Sequence, residues 1–103
     1  RELSMMKEGA YLINTSRGAV IDEKALIRYL AIGKLAGAAL DVYEDEPDIP
    51  SALLKMDNIV LTPHIGADTF ETRLQMTREA TKSFIDFFSG RKPFHIVNPQ
   101  VLE

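Results

Sequence analysis

Leu61-Thr62-Pro63-His64-Ile65-Gly66 decides the fold, because here an apolar run stops and hands over to a proline, a histidine and a glycine. Ile59, Val60 and Leu61 have the β-branched, apolar character of a buried strand, and Pro63 cannot donate to a sheet ladder, so pairing is expected to end there. His64 then stands at the carboxyl end of a strand, the rim at which parallel sheets hold their ligands. A single histidine beside a strand is more often a structural side chain, so its meaning depends on what else reaches that rim.

Working outward, Ala10-Tyr11-Leu12-Ile13 is a second apolar run, bounded by Gly9 and Asn14, that reads as a strand buried on both faces. It ends in the polar loop Asn14-Thr15-Ser16-Arg17-Gly18. Residues 1–7 read as the last turns of a helix stopped at Gly9. Asp22 and Glu23 offer a cap and a favourable first-turn charge to a helix with Ala25, Leu26, Tyr29 and Leu30 on one face and Gly33 just past its end. Ala36-Gly37-Ala38-Ala39-Leu40, small and apolar, reads as a central strand with a helix or ligand packed close, ending in Asp41-Val42. After the acidic loop 44–50, Ser51 is expected to cap one short turn through Leu54 before the strand 58–61.

The last long element has Phe70, Leu74, Thr77, Thr81, Phe84 and Phe88 on one helical face. Asp68 with Glu71 resembles a capping box at its start, and Gly90 and Pro93 end it, with Arg91 and Lys92 near the negative end of the dipole. About twenty residues rising ~1.5 Å each make a rod of roughly 30 Å, longer than one short strand needs. Met76, Ile85 and Phe87 add apolar surface off the stripe, so the rod either reaches another domain or is a thick core helix. The tail 94–103, with Ile96, Val97, Val101 and Leu102 around Asn98-Pro99, is too apolar for a free linker and is expected to be docked.

The composition bounds the functions open to such a chain. Its 103 residues, 46% apolar, suffice for one modest core. A net charge of −3 with twelve scattered basic residues gives no footprint for nucleic acid or an anionic membrane. There is no cysteine, and His64 and His95 cannot alone build a typical zinc site. No apolar run approaches the roughly 18 residues of a membrane span, and residues 1–7 carry no secretory segment, which points to the cytoplasm. A chain that starts at Arg1, inside a helix or turn, is expected to be a piece of something longer.

Strand, helix, strand, short turn, strand, helix is the order of an α/β fold, here the second half of a doubly wound, Rossmann-like parallel sheet with a long C-terminal helix. Its strand ends would gather Thr15, Ser16 and Arg17, then Asp41 with the loop to Glu46, then Thr62 to His64. An arginine can clamp a carboxylate bidentately, a histidine is the natural proton donor near neutrality, and a carboxylate beside it favours its charged form. Each also has an ordinary reading: Arg17 a surface ion pair, Glu46 part of a solvated loop, Asp41 a cap to a strand end. Gathered at one rim, they make a reaction site plausible.

The runs Asn14-Thr15-Ser16-Arg17-Gly18 with Asp22-Glu23-Lys24-Ala25-Leu26, Gly37-Ala38-Ala39-Leu40-Asp41-Val42-Tyr43 to Glu46-Pro47, and Thr62-Pro63-His64-Ile65-Gly66 together resemble the D-2-hydroxyacid dehydrogenases. The resemblance implies that Arg17 binds the carboxylate and carbonyl of a small 2-keto or 2-hydroxy acid, that His64 protonates the carbonyl oxygen, and that Glu46 is its partner. It also implies that NAD or NADP is held by Thr15, Ser16, Arg17, Asp41, His64 and Gly66, with Asp41 on the nicotinamide carboxamide. Residues 1–90 then correspond to the carboxyl-terminal half of the dinucleotide domain and 91–103 to the tail of a substrate domain. The six glycines form no G-x-G-x-x-G, so the pyrophosphate turn of that family is expected upstream, and residues 1–103 alone are expected to be inactive.

Thr72-Arg73 with Met76, and 90–99, look most like glyoxylate and hydroxypyruvate reductases; phosphoglycerate dehydrogenase is the runner-up. Corepressor-type relatives, which carry the same arginine, glutamate and histidine as nucleotide-sensing binding proteins, form the other class. A strand at residues 10–13 without a partner on one side, together with Phe84, Phe87 and Phe88 in need of cover, points to a homodimer.

Overall fold

Three strands, β1 (Ala10–Asn14), β2 (Leu35–Leu40) and β3 (Ile59–Leu61), pair in parallel in the order β1-β2-β3 in the computed structural model, which describes residues 1–102, the Leu102 side chain excepted. Leu12 faces Ala38, Ile13 faces Ala39, and Leu40 faces Leu61, so all three strands end at one rim. Helix α1 (Glu2–Met5) precedes β1 and α2 (Glu23–Ala31) crosses between β1 and β2. The α/β class and the long C-terminal helix are as the sequence pattern predicts. By contact, the chain divides into residues 1–66 and residues 67–103.

The core of the first unit lies on one face of the sheet. Leu26 and Leu30 from α2 meet Leu35, Ala38 and Leu40 of β2, with Tyr43 and Leu53 closing the cluster and Ala10, Leu12, Ile59 and Leu61 packed around it. Asp22 caps α2 as expected, its Oδ1 accepting the Ala25 N–H at 2.9 Å. Gly33 and Gly90 follow their helices at φ +74° and +71°, the left-handed stop that a β-carbon resists. The expectation that β1 is buried on both faces is corrected: Tyr11 and Ile13 are 74% and 73% exposed. Only one face of the sheet is covered by this core, and side chains alternate along a strand, so every second residue is left to solvent.

Two smaller expectations are corrected as well. The turn Leu53–Lys55 follows Ala52 without a side-chain cap, and Ser51 makes none. Helix α1 is a single turn, Glu2–Met5, rather than the last turns of a helix running through residue 7.

In the second unit, α3 (Phe70–Phe88) is capped by Thr69, whose Oγ1 accepts the Thr72 N–H at 3.2 Å. This corrects the capping box expected from Asp68 and Glu71, because Asp68 turns instead to the Arg73 guanidinium. The apolar stripe is not a core: Phe70, Phe84 and Phe88 are exposed, and only Asp86 of the helix is buried. Phe84, Phe87 and Phe88 pack on one another, stacked and edge-on. The docking expected of the tail 94–103 is corrected: Phe94, Val97 and Val101 are exposed, and among its described residues Ile96 alone is half-buried. The tail's expected contacts through Leu102 and Glu103 lie outside the described residues.

Candidate active site

At the rim, β1 runs into a turn built by Asn14. This buried side chain donates from Nδ2 to the Arg17 carbonyl at 2.9 Å, while its Oδ1 accepts the Ser16 N–H at 3.1 Å and the Ser16 hydroxyl at 2.9 Å. An asparagine that bonds the backbone two and three residues on fixes a tight turn. Thr15 and Arg17 are thereby presented on its exposed side.

β2 delivers Asp41 and Tyr43. The Asp41 Oδ1 accepts the Thr62 hydroxyl and the Ile65 N–H, the latter at 2.9 Å, and Oδ2 accepts the Gly66 N–H at 2.7 Å. These bonds, the Thr62 hydroxyl foremost and the Ile65 N–H next, hold the Asp41 carboxyl below the usual carboxylate range. The carboxylate thus ties the end of β2 to the turn after β3, which is the ordinary capping role considered for it, while one lone pair of Oδ2 stays outside that set. Tyr43 reinforces the tie: its buried hydroxyl lies 2.9 Å from the Thr62 carbonyl and 3.2 Å from that of Leu40, and burial pushes its phenol up.

Between these ties stands His64, in the left-handed region at φ 55°. A non-glycine residue adopts this conformation only where its surroundings impose it, and such residues cluster at functional sites. Here the imposing contacts are the Asp41 bonds to the next two amides. His64 Nδ1 lies 2.7 Å from Glu46 Oε2, and Glu46 Oε1 accepts the Tyr43 N–H at 3.0 Å. The Glu46 carboxyl is held below its ordinary range by His64 foremost and then by the Tyr43 N–H, with the Arg17 charge acting in the same direction. The pair is half-exposed, 47% for His64 and 34% for Glu46, and opens onto a small cleft of about 130 Å³ with Tyr43, Pro47, Ile49 and Pro63. The peptide between Glu46 and Pro47 is cis.

The fold therefore brings Glu46 and His64 into contact and places Asp41 and Gly66 in contact beside them. It sets Thr15, Ser16 and Arg17 on the neighbouring strand end. Arg17 itself bonds only locally, Nη1 donating to the Ser16 carbonyl at 2.6 Å. Sequence reasoning gave no holding role to Asn14 or Tyr43, placed Thr62 at the rim without a partner, and read Glu23 only as a first-turn charge. Asn14 had a signal, an asparagine opening a polar turn directly after a strand. The others act across about twenty residues of sequence, where spacing carries no sign of them.

The family model for the D-isomer specific 2-hydroxyacid dehydrogenase NAD binding domain matches residues 1–66. Over 102 residues the chain is 50% identical to a glyoxylate reductase from Thermococcus litoralis, covering 99% of this chain and 31% of that protein. Among solved structures, a glyoxylate reductase from Paecilomyes thermophila matches 82% of this chain and 26% of its own at 46% identity and a TM-score of 0.80. An NADPH-dependent glyoxylate/hydroxypyruvate reductase from Sinorhizobium meliloti, in complex with NADP and malonate, matches 94% of this chain and 30% of its own at 37% identity and a TM-score of 0.87. The chain spans about a third of the length of the curated relatives it matches.

Proposed function

Because this chain belongs to the D-isomer specific 2-hydroxyacid dehydrogenase family, we propose that the protein containing it reduces a small 2-keto acid to the D-2-hydroxy acid, with glyoxylate or hydroxypyruvate as substrate and NADH or NADPH as reductant. The observation that carries this reading is the 2.7 Å contact between Glu46 and His64 at the rim where three parallel strands end. The relatives named for glyoxylate and hydroxypyruvate support the substrate class, and the complex with NADP supports a nicotinamide dinucleotide.

The rim suits such a cofactor by its donor set. Thr15 and Ser16 stand at the turn after β1, Asp41 keeps an Oδ2 lone pair for a carboxamide, and Gly66 leaves the backbone uncovered. We assign cofactor contact to Thr15, Ser16, Arg17, Asp41, His64 and Gly66. The bound nicotinamide supplies or accepts the hydride. Arg17 holds the substrate carboxylate and carbonyl by a charged fork. Protonated His64 gives its proton to the carbonyl oxygen as that oxygen gains charge, and Glu46 on Nδ1 orients the ring and favours the charged form.

Residues 1–90 then form the carboxyl-terminal half of the dinucleotide domain and 91–103 the tail of the substrate domain. The partner is a small acid rather than nucleic acid or a membrane, which the net charge of −3 favours. The protein works in the cytoplasm, where reduced nicotinamide is available, and residues 1–103 by themselves are expected to form a homodimer. Self-association is supported by the uncovered edge of β1, with Tyr11 and Ile13 exposed, and by the bare phenylalanines of α3. Light scattering reports the mass directly, and a monomer at micromolar concentration removes the dimer.

Consumption of reduced nicotinamide with glyoxylate and hydroxypyruvate tests the activity. The full-length protein is expected to turn over and residues 1–103 alone are not. A full-length protein inert to small 2-keto acids that still binds the dinucleotide would move the reading to a nucleotide-sensing binding protein of the corepressor type.

A further inference from the structure

Glu23 is the first residue of α2 and is 6% exposed, an uncommon place for a carboxylate. It is not needed as the cap, since Asp22 already takes the Ala25 N–H. Its Oε1 instead accepts the Glu44 N–H at 3.0 Å, across twenty-one residues of sequence. The same peptide is pressed from the β1 side: a β-carbon on Gly18 would fall 1.9 Å from the Tyr43 carbonyl carbon and 2.4 Å from the Glu44 nitrogen. The Tyr43–Glu44 peptide is therefore gripped between the backbone of Gly18 and the carboxylate of Glu23.

That peptide opens the turn that carries Glu46. The Tyr43 N–H, one residue before the gripped amide, is the donor to Glu46 Oε1, and Glu46 Oε2 meets His64. We infer that Glu23 is a positioning residue that sets the Glu46 carboxylate against His64 by anchoring the 43–46 turn to the start of α2. It touches neither His64 nor the cleft beside it, and it acts only through the backbone of that turn. The inference rests on the Glu46–His64 pairing given under Proposed function.

The titration of the His64 ring, followed by NMR in the full-length protein without substrate or cofactor, tests this separately from activity. The charged groups that bear on the ring are Glu46 on Nδ1, Asp41 at the end of β2, and Arg17 through its effect on Glu46. Glu46→Gln is expected to move the titration midpoint down, because the ring loses the carboxylate 2.7 Å from Nδ1. Glu23→Ala is expected to reproduce at least half of that shift, and the double variant to add nothing beyond Glu46→Gln alone. Glu23→Gln, which keeps an oxygen for the Glu44 N–H, is expected to restore the midpoint.

A folded Glu23→Ala protein with an unmoved midpoint, or an additive double variant, overturns the positioning role while leaving the pairing intact. A midpoint insensitive to Glu46→Gln overturns the pairing and this inference with it. If Glu23→Ala does not fold, Glu23→Asp, one methylene short of Glu44, takes its place: a lowered midpoint supports the positioning role and an unmoved one overturns it.

Discussion

Asp41 Oδ2 accepts the Gly66 N–H at 2.7 Å, and a β-carbon on residue 66 would stand 2.8 Å from that same oxygen. Gly66 is thus required for its lack of a side chain, so that its amide can be drawn onto the carboxylate. With the Ile65 N–H on Oδ1, the same group fixes both amides that follow His64. The left-handed backbone of His64 is consequently held by the residue that follows β2, and the ring lies 2.7 Å from Glu46.

Asp41→Asn should loosen this turn. An asparagine offers one acceptor oxygen and turns a donor toward the remaining N–H, so Ile65 and Gly66 cannot both be served. Amide exchange in the full-length protein is expected to quicken at Ile65 and Gly66 while the β1–β2 ladder is unchanged. The sign with pH follows from the lowered Asp41 carboxyl: its hold is complete above the ordinary carboxylate range and is lost as pH falls through the lowered value. Exchange at the two amides that stays at the parent rate in the variant would sink this account.

Glu46→Gln should displace the pH dependence of reduction. In the proposed reaction the charged ring is the proton donor, so the rate is expected to fall at high pH, and the Glu46 carboxylate 2.7 Å from Nδ1 favours the charged ring. Without the carboxylate the decline begins at lower pH. A profile that keeps its position and loses only height would mean that Glu46 orients His64 without tuning it.

The strands and α2 were readable because each is a short apolar or amphipathic run bounded by glycine, proline, asparagine or aspartate. What covers a strand was not. Tyr11 and Ile13 are as apolar as Leu12, so nothing in residues 10–13 distinguishes the bare face from the packed one. The start of α3 slipped by one residue because Asp68 and Thr69 both offer capping oxygens, and only Arg73, which claims Asp68, decides between them. At the rim, the residues that carry charge could be named from their types and their places after strands. The residues that hold them could not, since Glu23, Tyr43 and Thr62 each make a hydrogen bond to a partner about twenty positions away.

Asp86 supplies a last prediction, on stability. Its side chain is 12% exposed and lies 2.8 Å from Lys82 Nζ on one oxygen and 2.8 Å from Arg91 Nη2 on the other, while its carbonyl accepts the Arg91 N–H at 2.8 Å. The end of α3 is thus knotted to the chain that leaves it. Lys82 first, then Arg91, hold the Asp86 carboxyl below its ordinary range. A depressed carboxyl contributes stability that is fully present above its unfolded value and is lost as pH falls through the folded one. Asp86→Asn keeps the shape but not the charge, so it should melt below the parent at neutral pH, with the gap closing as pH falls through the parent's lowered carboxyl. Because both cations are exposed, added salt should narrow the gap as well. Thermal melts of both full-length proteins at neutral and acid pH measure it, and equal melting temperatures at neutral pH would mean that the knot adds nothing to stability.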